Sequence, residues 1–169
     1  MAIINKLLAQ ELIRMANIDQ EMRLKWINNG AVWDVAVDEA NQKRLKQIVA
    51  EYSWPTISLV GKRASNAAWL IVQHAPDLKF KEKCLELMER LPLGEVKPAN
   101  IAYLKDRVLM WNGKPQIYGT QFHGFGKDIK VHEIQDPEHV DKRRANVGLD
   151  TFAKNEARLR KINRVKKTK

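Results

Sequence analysis

The pair Gln73-His74 closes RASNAAWLIVQHA, the most apolar stretch of the chain. An imidazole there is the natural carrier of a proton, since it changes charge near neutral pH without help from its surroundings. A carboxylate would have to orient it, and Asp19 and Asp106 are the candidates. Asp19 interrupts an apolar helical stripe with Arg23 one turn on, and Asp106 stands beside Arg107 near a helix end. Further along, Gln116, Tyr118, Thr120 and Gln121 fall between glycines in GKPQIYGTQFHGFG. Glycine lets backbone approach a bound group closely, while glutamine and tyrosine offer directional hydrogen bonds rather than charge. With Asn41 and with Arg144, which follows Arg143, these residues form a substrate-binding set if the fold brings them together.

The chemistry of such a set is general acid and base catalysis: hydrolysis or group transfer on a polar or anionic substrate. His74, Asp19 and Asp106 would be its catalytic groups, and Arg23, Asn41, Gln73, Arg107, Gln116, Tyr118, Thr120, Gln121 and Arg144 its binding groups. Each residue also has a local use. Gln73-His74 can cap a helix end, Asp106-Arg107 can be an ordinary ion pair, and a Gly and Gln hairpin can be a solvated ribbon. Convergence is what distinguishes a site. Motifs for phosphate loops, dinucleotide folds, zinc proteases and hydrolase elbows are absent, and His74, His123, His132 and His139 lack metal-like spacing, so the sequence names no cofactor and no metal.

The elements that must position these groups are mostly helices. Leu8, Leu12, Met15, Met22 and Trp26 recur at three and four over residues 4–28, until Asn28-Asn29-Gly30 stops the pattern. A second helix is predicted from an Asp38 cap to Tyr52, with Leu45, Ile48 and Tyr52 on one side and Asn41 in the same stripe. Trp54-Pro55 breaks it, 57–61 connects, and the apolar helix ending at His74 follows. The next helix carries Phe80, Cys84, Leu87, Met88 and Leu91 in one stripe, which makes Cys84 a core residue rather than a nucleophile. After PANIAYLKDRVL, Asn112-Gly113 signals a two-residue hairpin, so residues 108–134 are expected to hold a small antiparallel hairpin or meander with IYGTQF as its middle strand and a second turn at HGFGKD. Asp136-Pro137 opens a helix that Gly148 stops, and a basic helix begins at Asp150 or Thr151. The fold class is mainly α, with a single domain over 1–150 and a basic tail over 151–169.

The net charge is +10, but its placement matters more than its size. From Lys142 onward eleven Lys and Arg face only Asp150 and Glu156, whereas residues 1–141 hold 19 basic and 18 acidic side chains. The tail therefore supports a second reading, a non-enzymatic binding protein that engages nucleic acid or an acidic protein through residues 154–169. No run approaches the about 20 apolar residues of a membrane span, and the lone Cys84 gives no disulfide framework, which together point to the cytoplasm.

As a set, DQEMR at 19–23, Asp38 with Asn41, WP at 54–55, LVG at 59–61, AAWLIVQHA at 67–75, AYLKDRV at 102–108, QIYGTQF at 116–122 and VDKRRANVGL at 140–149 resemble an uncharacterised bacterial family, a domain of unknown function. The resemblance covers roughly residues 10–150 and implies no established activity. It implies that Asp19, Arg23, Asn41, His74, Asp106, Arg107, Gln116, Tyr118, Gln121, Asp141 and Arg144 occupy motif positions, and that the lysine-rich extension after about Ala153 lies outside the pattern.

Overall fold

The computed structural model describes residues 5–29, 32–124 and 129–164. The chain divides into two compact units, Met1–Asn100 and Ile101–Lys169.

The first unit contains α1 (Lys6–Asn29), α2 (Val35–Tyr52), the short α3 (Ile57–Val60), α4 (Lys62–His74), α5 (Leu78–Glu89) and the opening turn of α6 (Pro98–Trp111). On α1 the expected stripe is buried at Leu8, Leu12, Met15, Asp19 and Met22, and Asn5 caps its start by accepting the Leu8 N–H. Asp34, not Asp38, caps α2, accepting from the Ala36 N–H at 3.0 Å. Helix propagation backward through Val35 to Val37 turns Asp38 into an inward-facing residue, buried with Asn41, Leu45, Ile48 and Val49, while Tyr52 is left at the surface. The segment after Trp54-Pro55 is a helical turn rather than a plain connection, because Thr56 caps it at the Leu59 N–H.

α4 is the central element. It touches α1, α2, α3 and α5, and buries Ala64, Ala67, Ala68, Ile71 and Val72, small or branched residues that allow close approach from several sides. Polar ties set the outer helices. The Glu11 carboxylate takes both Arg44 Nε and Nη2, at 2.5 and 3.0 Å, and Asp77 caps α5 while pairing with Lys46 of α2 at 2.6 Å. Lys81 is fully buried, its ammonium donating to the Ala75 carbonyl that ends α4. Cys84 is buried among these residues, and burial pushes its thiol up to about 12, which removes it as a nucleophile at neutral pH.

In the second unit α6 ends where a hairpin was expected. Gly113 adopts φ 67°, its N–H bonds to the Met110 carbonyl, and Lys114 N–H reaches back to Leu109. The left-handed residue that a type I′ turn requires also closes a helix, and here the preceding residues are helical. The predicted middle strand does not form. Gln116 makes a single parallel bridge to Ile134, and the antiparallel pair is short: β1 (Phe122–His123) against β2 (Lys130–Val131), with Phe122 opposite Val131 and His123 opposite Lys130. Most of the HGFGKD turn lies outside the described residues. A 3₁₀ turn, Pro137–His139, leads into α7 (Val140–Asn146); Gly148 at φ 72° ends it, and α8 (Phe152–Arg164) follows. Phe122 and Phe152 stack with centroids 6.0 Å apart. Among the described residues no helix is long and apolar enough to cross a membrane.

Gly119 has φ 64°, and a Cβ there would come within 2.7 Å of the Phe152 ring and 2.9 Å of Ile134. Gly119→Ala is expected to lower stability in urea denaturation by about 1–3 kcal/mol through backbone strain plus overpacking. Gly113→Ala, where a Cβ meets nothing, should show only the strain, about 1 kcal/mol.

Candidate functional site

The predicted residues gather in two places, one in each unit. In the first, the inward positions of α1 and α2 and the end of α4 assemble Asp19, Arg23, Asp38 and His74. His74 Nδ1 stands 2.9 Å from both oxygens of Asp19, whose side chain is 1% exposed, while the histidine side chain keeps 20% exposure. A carboxylate accepts, so Nδ1 carries a proton and donates it to Asp19. Arg23 Nε lies 2.9 Å from the same ring nitrogen, and its N–H is accepted by Asp19 Oδ2 at 3.2 Å. Arg23 Nη2 bridges the two carboxylates, 3.1 Å from Asp19 Oδ1 and 2.6 Å from Asp38 Oδ1. Its guanidinium lies 4.5 Å from the centroid of the Trp33 ring, and Trp26 packs edge-on to Trp33. Gln20 donates to Asp19 Oδ2, and Asn41 spans to the Met15 carbonyl.

The two carboxylates are shifted in opposite directions. Burial would raise Asp19, but the hydrogen bond and charge of His74, with Gln20 and Arg23, outweigh it and hold the carboxyl below the ordinary range. Burial raises Asp38, and the nearby Asp19 charge adds to that; Arg23, His74 and a bond from Trp33 only partly offset it. Asp38 is the member that sequence reasoning assigned to another role, as a cap. Its spacing from Asn41 and Leu45, three and seven residues, is the signal that places it on the buried face. Arg23, predicted as a substrate ligand, is committed to Asp19 and Asp38, and Gln73 is buried.

In the second unit the QIYGTQ segment binds a group of the chain itself. Asp106 has no exposed surface, and its carboxylate accepts the backbone N–H of Ile117 at 2.8 Å, of Tyr118 at 3.0 Å and of Thr120 at 2.9 Å, plus the Thr120 hydroxyl at 2.9 Å. Successive N–H groups of a tight turn form an anion-binding nest, and Gly119 supplies the positive φ that the turn needs. Carbonyls of the same turn face cations: Arg143 Nε donates to that of Ile117 and the buried Arg144 Nη1 to that of Tyr118 at 2.6 Å, while Arg144 Nε donates to the backbone carbonyl of Asp150. Gln116 closes the loop, its amide oxygen accepting the Gln121 N–H and its nitrogen donating to the Gln121 and His132 carbonyls. Gln121 Nε2 donates to the Thr120 hydroxyl. Burial raises Asp106 and lowers Arg144, with the surrounding donors and acidic groups opposing each shift.

Asp106, expected to act in catalysis, and Gln116, Thr120, Gln121 and Arg144, expected to hold substrate, are buried here and make their hydrogen bonds to the chain itself. Tyr118 contributes backbone to the nest, and Arg107 is half-buried on α6. The structure also pairs His123 and His132, ring centroids 4.6 Å apart, which β1–β2 pairing brings together; burial and then the His123 charge lower His132.

The chain belongs to the family of unknown function DUF6624, whose model matches residues 6–166. No curated protein and no solved structure matches it. The match runs to residue 166, so most of the extension after Ala153, through α8, lies within the family pattern.

Two measurements probe these clusters. Because the folded Asp19 carboxyl is lowered, its stabilisation is fully present above the ordinary carboxylate pKa of about 4 and is lost as pH falls through the folded value. Asp19→Asn should remove that part of the acid limb in a thermal melt series from pH 7 to below 3. Asp106→Asn replaces one acceptor oxygen by an NH2 facing donors, and should cost about 2–4 kcal/mol in urea unfolding without depending on His74.

Proposed function

We propose that this chain is a small cytoplasmic enzyme for hydrolysis or group transfer on a polar substrate, with His74 as general acid or base and Asp19 as the group that orients it. The observation that carries this reading is the Asp19–His74 contact: a buried carboxylate 2.9 Å from Nδ1 of an imidazole that still reaches solvent. An ion pair with a purely structural purpose has no need of a titratable ring at its outer edge, whereas a proton carrier needs that ring with its tautomer fixed. Opposite shifts on Asp19 and Asp38 support the same assignment, since paired groups pushed apart in acidity divide acid and base roles.

Arg23 supplies the balancing charge within the cluster, so the substrate is selected by polarity rather than by that arginine. A hollow of about 300 Å³ is lined by Met22 and Lys25 of α1 and by Val32, Asp34 and Val37, of which Met22 and Val37 are next in the chain to Arg23 and Asp38. It offers a mixed polar and apolar surface for the part of the substrate that does not react.

Hydrolysis of a panel of esters, amides, phosphate esters and glycosides by wild type, His74→Ala and Asp19→Asn tests the reading. An activity in the panel should fall about 10²–10⁴-fold in His74→Ala, the usual worth of a positioned proton carrier, and by a smaller factor in Asp19→Asn. A folded His74→Ala protein that keeps the wild-type rate would end the proposal.

A further inference from the structure

We infer that Lys81 sets how readily His74 takes up a proton, by holding an ammonium charge at the C-terminal end of α4, and is thus a positioning residue for the reaction; the inference rests on the reading of His74 as the proton carrier. Lys81 lies on α5 and has no exposed surface, and its ammonium donates to the carbonyl of Ala75, the residue that follows His74 and caps α4. With no surface open to solvent it meets no substrate. What it does to the chemistry it does through the neighbouring residue.

Two influences on the ring favour its charged form. Asp19 lies 2.9 Å from Nδ1, and His74 stands in the last turn of α4, at the negative end of the helix dipole. A ring kept protonated by both would be lost as a base. A second cation nearby opposes both, because like charges disfavour one another. The Cα atoms of His74 and Ala75 are about 3.8 Å apart, so an ammonium on the Ala75 carbonyl stands within about 12 Å of the imidazole in any rotamer. At an effective dielectric of about 20, a charge at that distance moves a titration midpoint by about one pH unit.

The other charged groups at this end of α4 are Asp19 and Arg23 of α1, Asp38 of α2 and Asp77, the cap of α5, while Glu82 follows Lys81 and is half-buried. α3, Ile57–Val60, carries no charge. Arg23 is matched by Asp19 and Asp38, and Lys46 by Asp77, so those two cations each have carboxylates of their own. Packing gives no reason for a charge at position 81. Methionine has nearly the same length, and burying it incurs no cost of removing an ion from water.

The test is an NMR titration of the four histidine Cε1–H groups in the full chain without substrate, with His74 assigned by its loss in His74→Ala. Lys81→Met removes the charge, and Lys81→Gln removes it while keeping a donor for the Ala75 carbonyl. Both should raise the His74 midpoint by about one pH unit and leave His123, His132 and His139 where they are. A folded Lys81→Met protein with the wild-type midpoint overturns the inference, whatever its stability. A rise in Lys81→Met alone assigns the effect to the lost hydrogen bond and overturns it too, as does failure of both variants to fold, which makes Lys81 a structural residue. The midpoint is read without any activity, so its failure leaves the Asp19–His74 reading standing, and an inactive His74 does not alter the midpoint measured in the two Lys81 variants.

Discussion

Carboxylates without access to water must be answered by donors, and this requirement shapes both halves of the chain. An isolated buried carboxylate costs several kcal/mol even after relaxation, which would consume a large part of a typical domain's margin of stability. Asp19 and Asp106 are each at or near zero exposure, and each is surrounded. The answers differ in kind. Asp106 is met by backbone N–H groups and a hydroxyl, none of which titrates, so its surroundings hold one arrangement at every working pH. Asp19 is met by an arginine and an imidazole, and an imidazole changes charge near neutrality. Only the second arrangement can move a proton.

That difference separates polar residues that the sequence marks alike, as exceptions within apolar stripes. Asp19, Asn41 and Gln116 are buried polar positions, and a helical or alternating pattern marks them as exceptions without saying what resolves each one. For Asp19 the resolving partners include His74, 55 residues away, which the apolar run ending in Gln-His already singled out. For Asp106 they are main-chain atoms of 117–120, and main-chain donors leave no trace in residue type beyond the glycine that permits the turn. The glutamines looked like substrate ligands for the same reason: a side chain that satisfies backbone and one that satisfies a ligand are the same residue in sequence.

The helices were legible because their buried stripes repeat at three and four over two or more turns, as on α1, α4 and α5. Their ends were less so. Asp34 and Asp38 both suit a cap, and what decides between them is whether Val35 and Val37 join the helix, a matter of packing rather than local chemistry. Asn112-Gly113 posed the same ambiguity, since a left-handed residue ends a helix or turns a hairpin, and α6 reaches Gly113 before any strand begins. The strands that do form are two residues each, too short for alternation to register.

Arg23 ties the geometry of the candidate site to its charge. A lysine could neutralise one carboxylate, but a planar guanidinium reaches Asp19 and Asp38 through one nitrogen, meets Asp19 again through Nε and lies over Trp33. With His74 neutral and both carboxylates ionised, the four groups sum to one negative charge; when the ring takes a proton the sum is zero. Positive charge forming on the imidazole is therefore met by a field already in place, and no side chain has to reorganise to supply it. Burial raises the Asp38 carboxyl, and the Arg23 guanidinium 2.6 Å away opposes that rise. The cluster is in this sense a balance between two acids across one fixed cation, with the imidazole as the member that faces solvent.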